Sequence, residues 1–286
     1  MLEKKGFSYY APKVFKVVFF VLVLLAMYMP VFVIIYQSFN KTANAIVPLS
    51  WGGFTLNNYS ELFTNRQLYL SILDSLLVSF WATFIATIAG VFATIGINAL
   101  VGRKKKAMDF LNEIPMMNSE IVTGISIMII FSLLANIPAF KQVFGFPTML
   151  VAHVFFTIPY VILMVYPKLQ QTDDSLFEAA QDLGCSKPMA LFKVIIPSLK
   201  TSIMSGALIA FTLSIDDFVI SYYTQGNGFS NFSNYVYTSY TKKNFSAGAY
   251  AFNSLLTFIT LLIVLLISLK SSKKKVKKAW KNYLLL

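Results

Sequence analysis

The sequence holds one cysteine and one histidine in 286 residues, and only 12 of those residues are acidic. Lone Cys185 has no partner for an internal disulfide, and no group of Cys, His, Asp and Glu has metal-ligand spacing. Charged residues of all kinds make up just 13% of the chain, too few for an ordinary water-soluble domain. Also missing is any G-x-x-x-x-G-K-[ST] stretch, the loop whose backbone amides and lysine cradle nucleotide phosphates. The chain is therefore not expected to be an enzyme or to hydrolyse ATP itself, and no cofactor is expected.

What is present is apolar. Hydrophobic residues are 57% of the chain, aromatics 16%, and the mean hydropathy is +0.66. Crossing about 30 Å of hydrocarbon takes roughly 20 mostly apolar residues in a helix. Runs almost free of Asp, Glu, Lys and Arg place six spans near residues 14–36, 70–101, 119–140, 146–167, 201–223 and 246–269. The fifth carries two acids near one end. The first is longer than a signal-peptide core and has no small-residue cleavage site after Tyr36, so it is expected to be retained. The expected fold is an all-α integral membrane protein with six transmembrane helices in a single domain over residues 1–286.

Orientation follows from the basic residues. With the N-terminus in the cytoplasm, the inner segments hold 19 of the 24 Lys and Arg, including Arg103 to Lys106 and the tail 270–286. This positive-inside bias places both termini in the cytoplasm. It also explains the formal net charge of +12: the basic clusters flank apolar runs, which points to topology and membrane lipid and not to nucleic acid. In that frame Ser126 and His153, the one candidate pair for an intramembrane serine protease, fall in opposite leaflets and cannot meet. His153 reads instead as an interhelical hydrogen-bonding residue.

Between the fourth and fifth spans lies a cytoplasmic loop, 168–200, that looks soluble: FEAAQDLGCSKPMALFKVIIP, Phe177 to Pro197. Ser175 followed by Glu178 reads as a capping box, supported by Asp173 and Asp174 at the positive end of the helix dipole. Leu176, Ala179, Ala180 and Leu183 recur at helical spacing, and Gly184 suits a left-handed helix end. Ser186 and Pro188 open a second short helix, which Pro197 ends or kinks. Two short helices around a glycine turn would suit an interfacial hairpin.

The spacing says more. Glu178-Ala179-Ala180, three residues, Gly184, nine residues, then Val194-Ile195-Ile196-Pro197 resembles the EAA loop of ABC importer permeases, with Val for Ile and Ile for Leu as departures. The resemblance implies that Glu178, Ala179, Ala180, Gly184 and Pro197 form a coupling helix that docks on a separate ATPase subunit. LSIDDFVISYYTQGNG, Leu213 to Gly228, and EIVTGISIMIIF, Glu120 to Phe131, are similar to the spermidine and putrescine permeases, the C-type subunit in particular. This likeness runs from the first span through the sixth. It implies the type I importer permease fold, a homologous second permease, two ATPase copies and an external polyamine-binding protein.

For the substrate path the residues themselves give candidates. Asp216 and Asp217 lie 19 and 20 residues beyond Pro197, about 28 Å along a helix, which puts them near the outer membrane edge, with Asp74 at similar depth. Together with Tyr222 and Tyr223 they are expected to form an acidic, aromatic mouth for a polycation; acids placed simply at the interface would look the same. Adjacent helix positions point about 100° apart, so Asp216 and Asp217 cannot both face one pore in the same way. A gradient-driven transporter, a scaffold that recruits a cytoplasmic protein, and an importer of another small substrate are the competing readings. The expected mechanism is alternating access, with Pro30, Gly90, Gly96, Gly124, Pro159 and Gly206 easing helix contact. The outer loops 37–74 and 224–243 are expected to meet the binding protein.

Overall fold

The computed structural model of the chain describes residues 7–42, 50–141, 143–173, 175–226, 228–242, 245–262 and 265. The basic tail 270–286, the end of the span expected at 246–269, and Asp174 lie outside these residues. Among the described residues there is no named strand, only isolated bridges between Asn40 and Phe54 and between Gly226 and Phe229. The helices are α1 (Phe7–Ser38), α2 (Asn57–Thr64), α3 (Arg66–Ala99), α4 (Gly102–Met117), α5 (Glu120–Leu134) and α6 (Phe146–Gln170). They continue with α7 (Ser175–Asp182), α8 (Lys187–Ala190), α9 (Ile196–Ser198), α10 (Lys200–Asp216), α11 (Val219–Thr224), α12 (Phe232–Thr241) and α13 (Gly248–Leu262).

By length and composition α1, α3 and α6 can each cross a bilayer alone. Two further candidates are broken, and α13 is a shorter apolar helix in its described part. Helices α4 and α5 meet at 102°, and Lys187–Ser198 meets α10 at 71°. The region expected as one span at 201–223 is divided, because Asp217 takes an extended backbone (ψ 128°) between α10 and α11. Likewise α5 stops at Leu134 within the 119–140 run, ahead of the Pro138–Phe140 3-10 turn. Residues 102–117, which the hydropathy pattern leaves in a loop, form a 16-residue helix because Arg, Lys, Ala, Met, Leu and Glu are strong helix formers.

The chain divides into two compact units. In the first, residues 1–69 with 239–286, the Asn58 side-chain amide donates to the carbonyls of Ser38 and Asn40 at 3.0 Å each. Glu61 accepts the Ser246 hydroxyl at 2.6 Å and the Gly248 N–H at 2.9 Å, which satisfies the start of α13. The apolar central window of α1 buries nothing within the chain.

The second unit, Leu70–Thr238, is organised on α6, against which α10 lies, while α11 packs on α5 and α6. Two helices approach α6 closely at the same residue, Val161. A Cβ on Gly90 would stand 2.7 Å from its Cγ1, and one on Gly206 would stand 3.3 Å from its Cα. In hydrocarbon, where apolar burial gives little net drive, small residues of this kind let backbones approach and gain dispersion contact. Around them Val91, Val161, Val165, Ile195, Leu199 and Ala210 form a buried cluster, with Phe177 and Leu191 packed on its edge. The 168–200 loop is thereby tied by packing to α3, α6 and α10.

Candidate functional site

Within the loop, α7 is short and ends in a built stop. Gly184 has φ +88°, a conformation that glycine adopts without Cβ strain. The Cys185 N–H reaches back to the Ala180 carbonyl at 3.0 Å and the Gly184 N–H to Gln181 at 2.8 Å. This is the Schellman pattern, which satisfies carbonyls that the helix end would otherwise orphan. The start of α7 differs from the expected capping box. No Ser175–Glu178 bond forms; Asp173 Oδ1 accepts the Ser175 N–H at 2.9 Å and its carboxyl is held below the ordinary value by that bond. The Asp173 carboxylate thus takes the Ser175 N–H that the Glu178 carboxylate would accept in a capping box.

The chain then turns into α8 behind Ser186 and Pro188 and passes through one π turn, Leu191–Ile195. Pro197 supplies the reason for the widened turn: it has no N–H for the Lys193 carbonyl, and the Ile196 N–H bonds Leu191 instead. Ala180 and Ala190 face the protein and are buried, whereas Glu178 and Ala179 are exposed. Leu183, 87% exposed, and Phe192, 56% exposed, add apolar surface beside them. The loop thus presents a carboxylate, a small residue and a bare leucine to its exposed side, next to the glycine stop.

The second cluster surrounds the break after α10. Asp217 is 8% exposed, and its carboxylate caps α11, with Oδ2 accepting the Ser221 N–H at 2.7 Å and Oδ1 the Ile220 N–H at 3.3 Å. His153 of α6, 1% exposed, bridges Ser214 Oγ at 2.7 Å and Ser221 Oγ at 2.9 Å, and its Nε2 lies 3.5 Å from Asp217 Oδ2. Asn231 Nδ2 donates to the Asp217 carbonyl at 2.7 Å, and the Phe232 N–H donates to Ser75 Oγ at 2.7 Å. These bonds fasten α3, α6, α10, α11 and the start of α12 to one another. Ser, His and Asp are together here, yet all are sealed from any substrate, so the cluster is a clamp and not a hydrolytic triad.

The expected substrate residues are therefore not equivalent. Asp217 faces the protein, Asp216 is exposed, and Asp74 is half-buried and accepts the Ser230 backbone N–H. Tyr222 is 44% exposed and Tyr223 half-buried, and their rings meet edge to face at 5.5 Å. Ser126 bonds the Val122 carbonyl of its own helix and takes no part with His153. Sequence reasoning missed Asn231 and the capping role of Asp217. The signal for the latter was there: an Asp three residues before Ile220 in DFVIS is an N-cap pattern, masked by reading 201–223 as one unbroken helix. Buried hydroxyls of Ser79, Thr83 and Thr87, at four-residue spacing on α3, have no partner within the described residues.

Residues 82–278 match the family described as the binding-protein-dependent transport system inner membrane component. The chain belongs to this family. Among curated proteins it is 34% identical over 200 residues to the spermidine/putrescine transport system permease protein PotC of Haemophilus influenzae, covering 70% of this chain and 74% of the relative. It is 30% identical over 217 residues to the putrescine transport system permease protein PotI of Escherichia coli, covering 74% and 75%. Of solved structures, a bacterial ABC transporter involved in the import of the acidic polysaccharide alginate contains a chain that superposes with TM-score 0.68 at 14% identity, over 93% of this chain and 98% of that one. That likeness is one of fold, the helical fold of an importer permease.

Proposed function

We propose that the chain is the membrane permease subunit of an ATP-driven importer of polyamines, spermidine or putrescine, in the cytoplasmic membrane of a bacterium. The observation that carries the reading is the 168–200 loop: the EAA spacing falls on two exposed short helices around a left-handed Gly184, and those helices are packed onto the spans. The names of the relatives supply the substrate class. Hydrolysis of ATP belongs to a separate subunit, two copies of which meet exposed Glu178, Ala179 and Gly184 here, with Ala180 packed behind them, and the matching loop of a homologous second permease. Closure of the ATPases would push on α7, and the cluster of Val161, Ile195 and Leu199 would pass the motion to α6 and α10 as rigid bodies.

At the outer end an external binding protein delivers the polyamine. Exposed Asp216 and Tyr222 are the residues best placed to receive a cation, by charge and by the aromatic face. Asp217, Asp74 and Tyr223 shape that region from behind. The unpartnered hydroxyls of Ser79, Thr83 and Thr87 suit a polar path or a polar face of the second permease. The test is ATP-dependent uptake of radiolabelled spermidine by proteoliposomes holding the chain with its co-purified subunits, wild type against Glu178→Ala/Gly184→Pro. Uptake that the loop variant abolishes, with loss of the ATPase, supports the reading. Failure of any ATPase to co-purify overturns it, and a bound ATPase with spermidine ignored replaces the substrate alone.

A further inference from the structure

Helix α4 is built inside out. It has no buried residue, and its half-buried side is polar over its first three turns, Lys105, Asp109 and Asn112, before Pro115 and Met116 continue it, with Lys105 Nζ 5.5 Å from the centroid of the Tyr166 ring on α6. At 100° per residue the opposite stripe runs Arg103, Lys106, Phe110, Ile114 and Met117. All five are exposed, and Phe110 and Met117 are 61% and 78% so. The stripe thus changes from cationic to apolar along one helix. Arg103 and Phe110 are seven residues apart, about 10 Å of rise. An interfacial helix lies in the membrane plane, so that separation runs along the surface and sets the basic and apolar residues side by side at one level. The 102° turn into α5 sets α4 nearly square to the helix that follows it.

We infer that α4 is an interfacial anchor on the inner leaflet, in which Arg103, Lys104 and Lys106 hold anionic phospholipid headgroups while Phe110, Ile114 and Met117 enter the acyl region. The occupant is lipid because the exposed apolar face of Phe110, Ile114 and Met117 adjoins a run of four consecutive basic residues, Arg103 to Lys106, which complements an anionic surface. The inference rests on the membrane orientation given by the basic residues. Its test contains no transport step, so it fails or stands apart from the polyamine reading.

The assembled complex, with a benzophenone amino acid at Phe110 or Ile114, is placed in nanodiscs of equimolar phosphatidylglycerol and phosphatidylcholine, irradiated, and the adducts are identified by mass. Phospholipid adducts at both positions are expected, with phosphatidylglycerol favoured about fivefold or more, the effect of a single basic residue at an anionic surface. The triple variant Arg103→Gln/Lys104→Gln/Lys106→Gln is expected to return the ratio towards one while the phospholipid yield stays. Raising salt on the wild type lowers the same ratio, which keeps the test open should the triple variant not assemble. Adducts to another protein chain, an absence of lipid adducts, or an equal lipid ratio in the wild type each overturn the inference.

Discussion

Asp216 and Asp217 are neighbours of one residue type, and their replacement by alanine separates structure from transport. The Asp217 carboxylate accepts two backbone N–H groups of α11 and stands 3.5 Å from His153 Nε2, all in a buried setting. Loss of a helix cap costs about 1–2 kcal/mol. Leaving buried donors without their carboxylate acceptor costs about 1–3 kcal/mol. The two overlap, so Asp217→Ala is expected to destabilise the fold by about 1–3 kcal/mol, up to roughly a hundredfold in the unfolding equilibrium. Asp216 is exposed, so Asp216→Ala is expected to stay within about 0.5 kcal/mol. Unfolding of the purified complex by an SDS titration in mixed micelles measures both, with spermidine uptake in parallel. Asp216→Ala should retain its midpoint and lose uptake through a raised KM. Should Asp217→Ala unfold with Asp216→Ala and lose only uptake, the clamp is refuted and Asp217 belongs to the substrate path.

His153→Leu should destabilise by about 1–3 kcal/mol in the same titration, because Ser214 and Ser221 keep their burial and lose their partner; an unchanged midpoint would show that the bridge contributes nothing. Gly184→Val has open space at its Cβ but meets φ +88°, so it should strain the stop by about 1–2 kcal/mol and lower substrate-stimulated ATPase turnover. Gly90→Leu should force α3 from Val161, at about 1–3 kcal/mol of overpacking, and slow uptake with the ATPase still bound. Wild-type binding of ATPase after Gly90→Leu, measured by co-purification, distinguishes this from loss of the docking loop.

Hydropathy placed the starts of the helices better than their breaks. The run 14–36 falls in α1 and 70–101 almost on α3, because each is a long, mostly apolar stretch without an internal proline-glycine break. In the 168–200 loop the glycine stop, the Ser-x-Pro start and the terminal proline were legible because they are local chemistry, whereas the expected Ser175–Glu178 capping box did not form. The division of 201–223 was not, because an Asp next to an Asp looks the same whether it faces water or caps a hidden half-helix. Nor was the inverted face of α4, whose pattern says that two faces differ and not which one meets the protein.

The sequence by itself determined that this chain lives in a bilayer, which side its basic residues favour, and that a soluble-looking loop carries a docking pattern. Those are sums over composition and short-range spacing, and they need no knowledge of neighbours. Only the tertiary structure decided that Asp217 is locked by His153 and Asn231, that Asp216 is left free, and that Val161 sits between two glycines. A buried bond between residues 64 apart in sequence, as His153 and Asp217 are, depends on which helices lie side by side, and the polar groups that hydrocarbon forbids to stand alone find their partners only there.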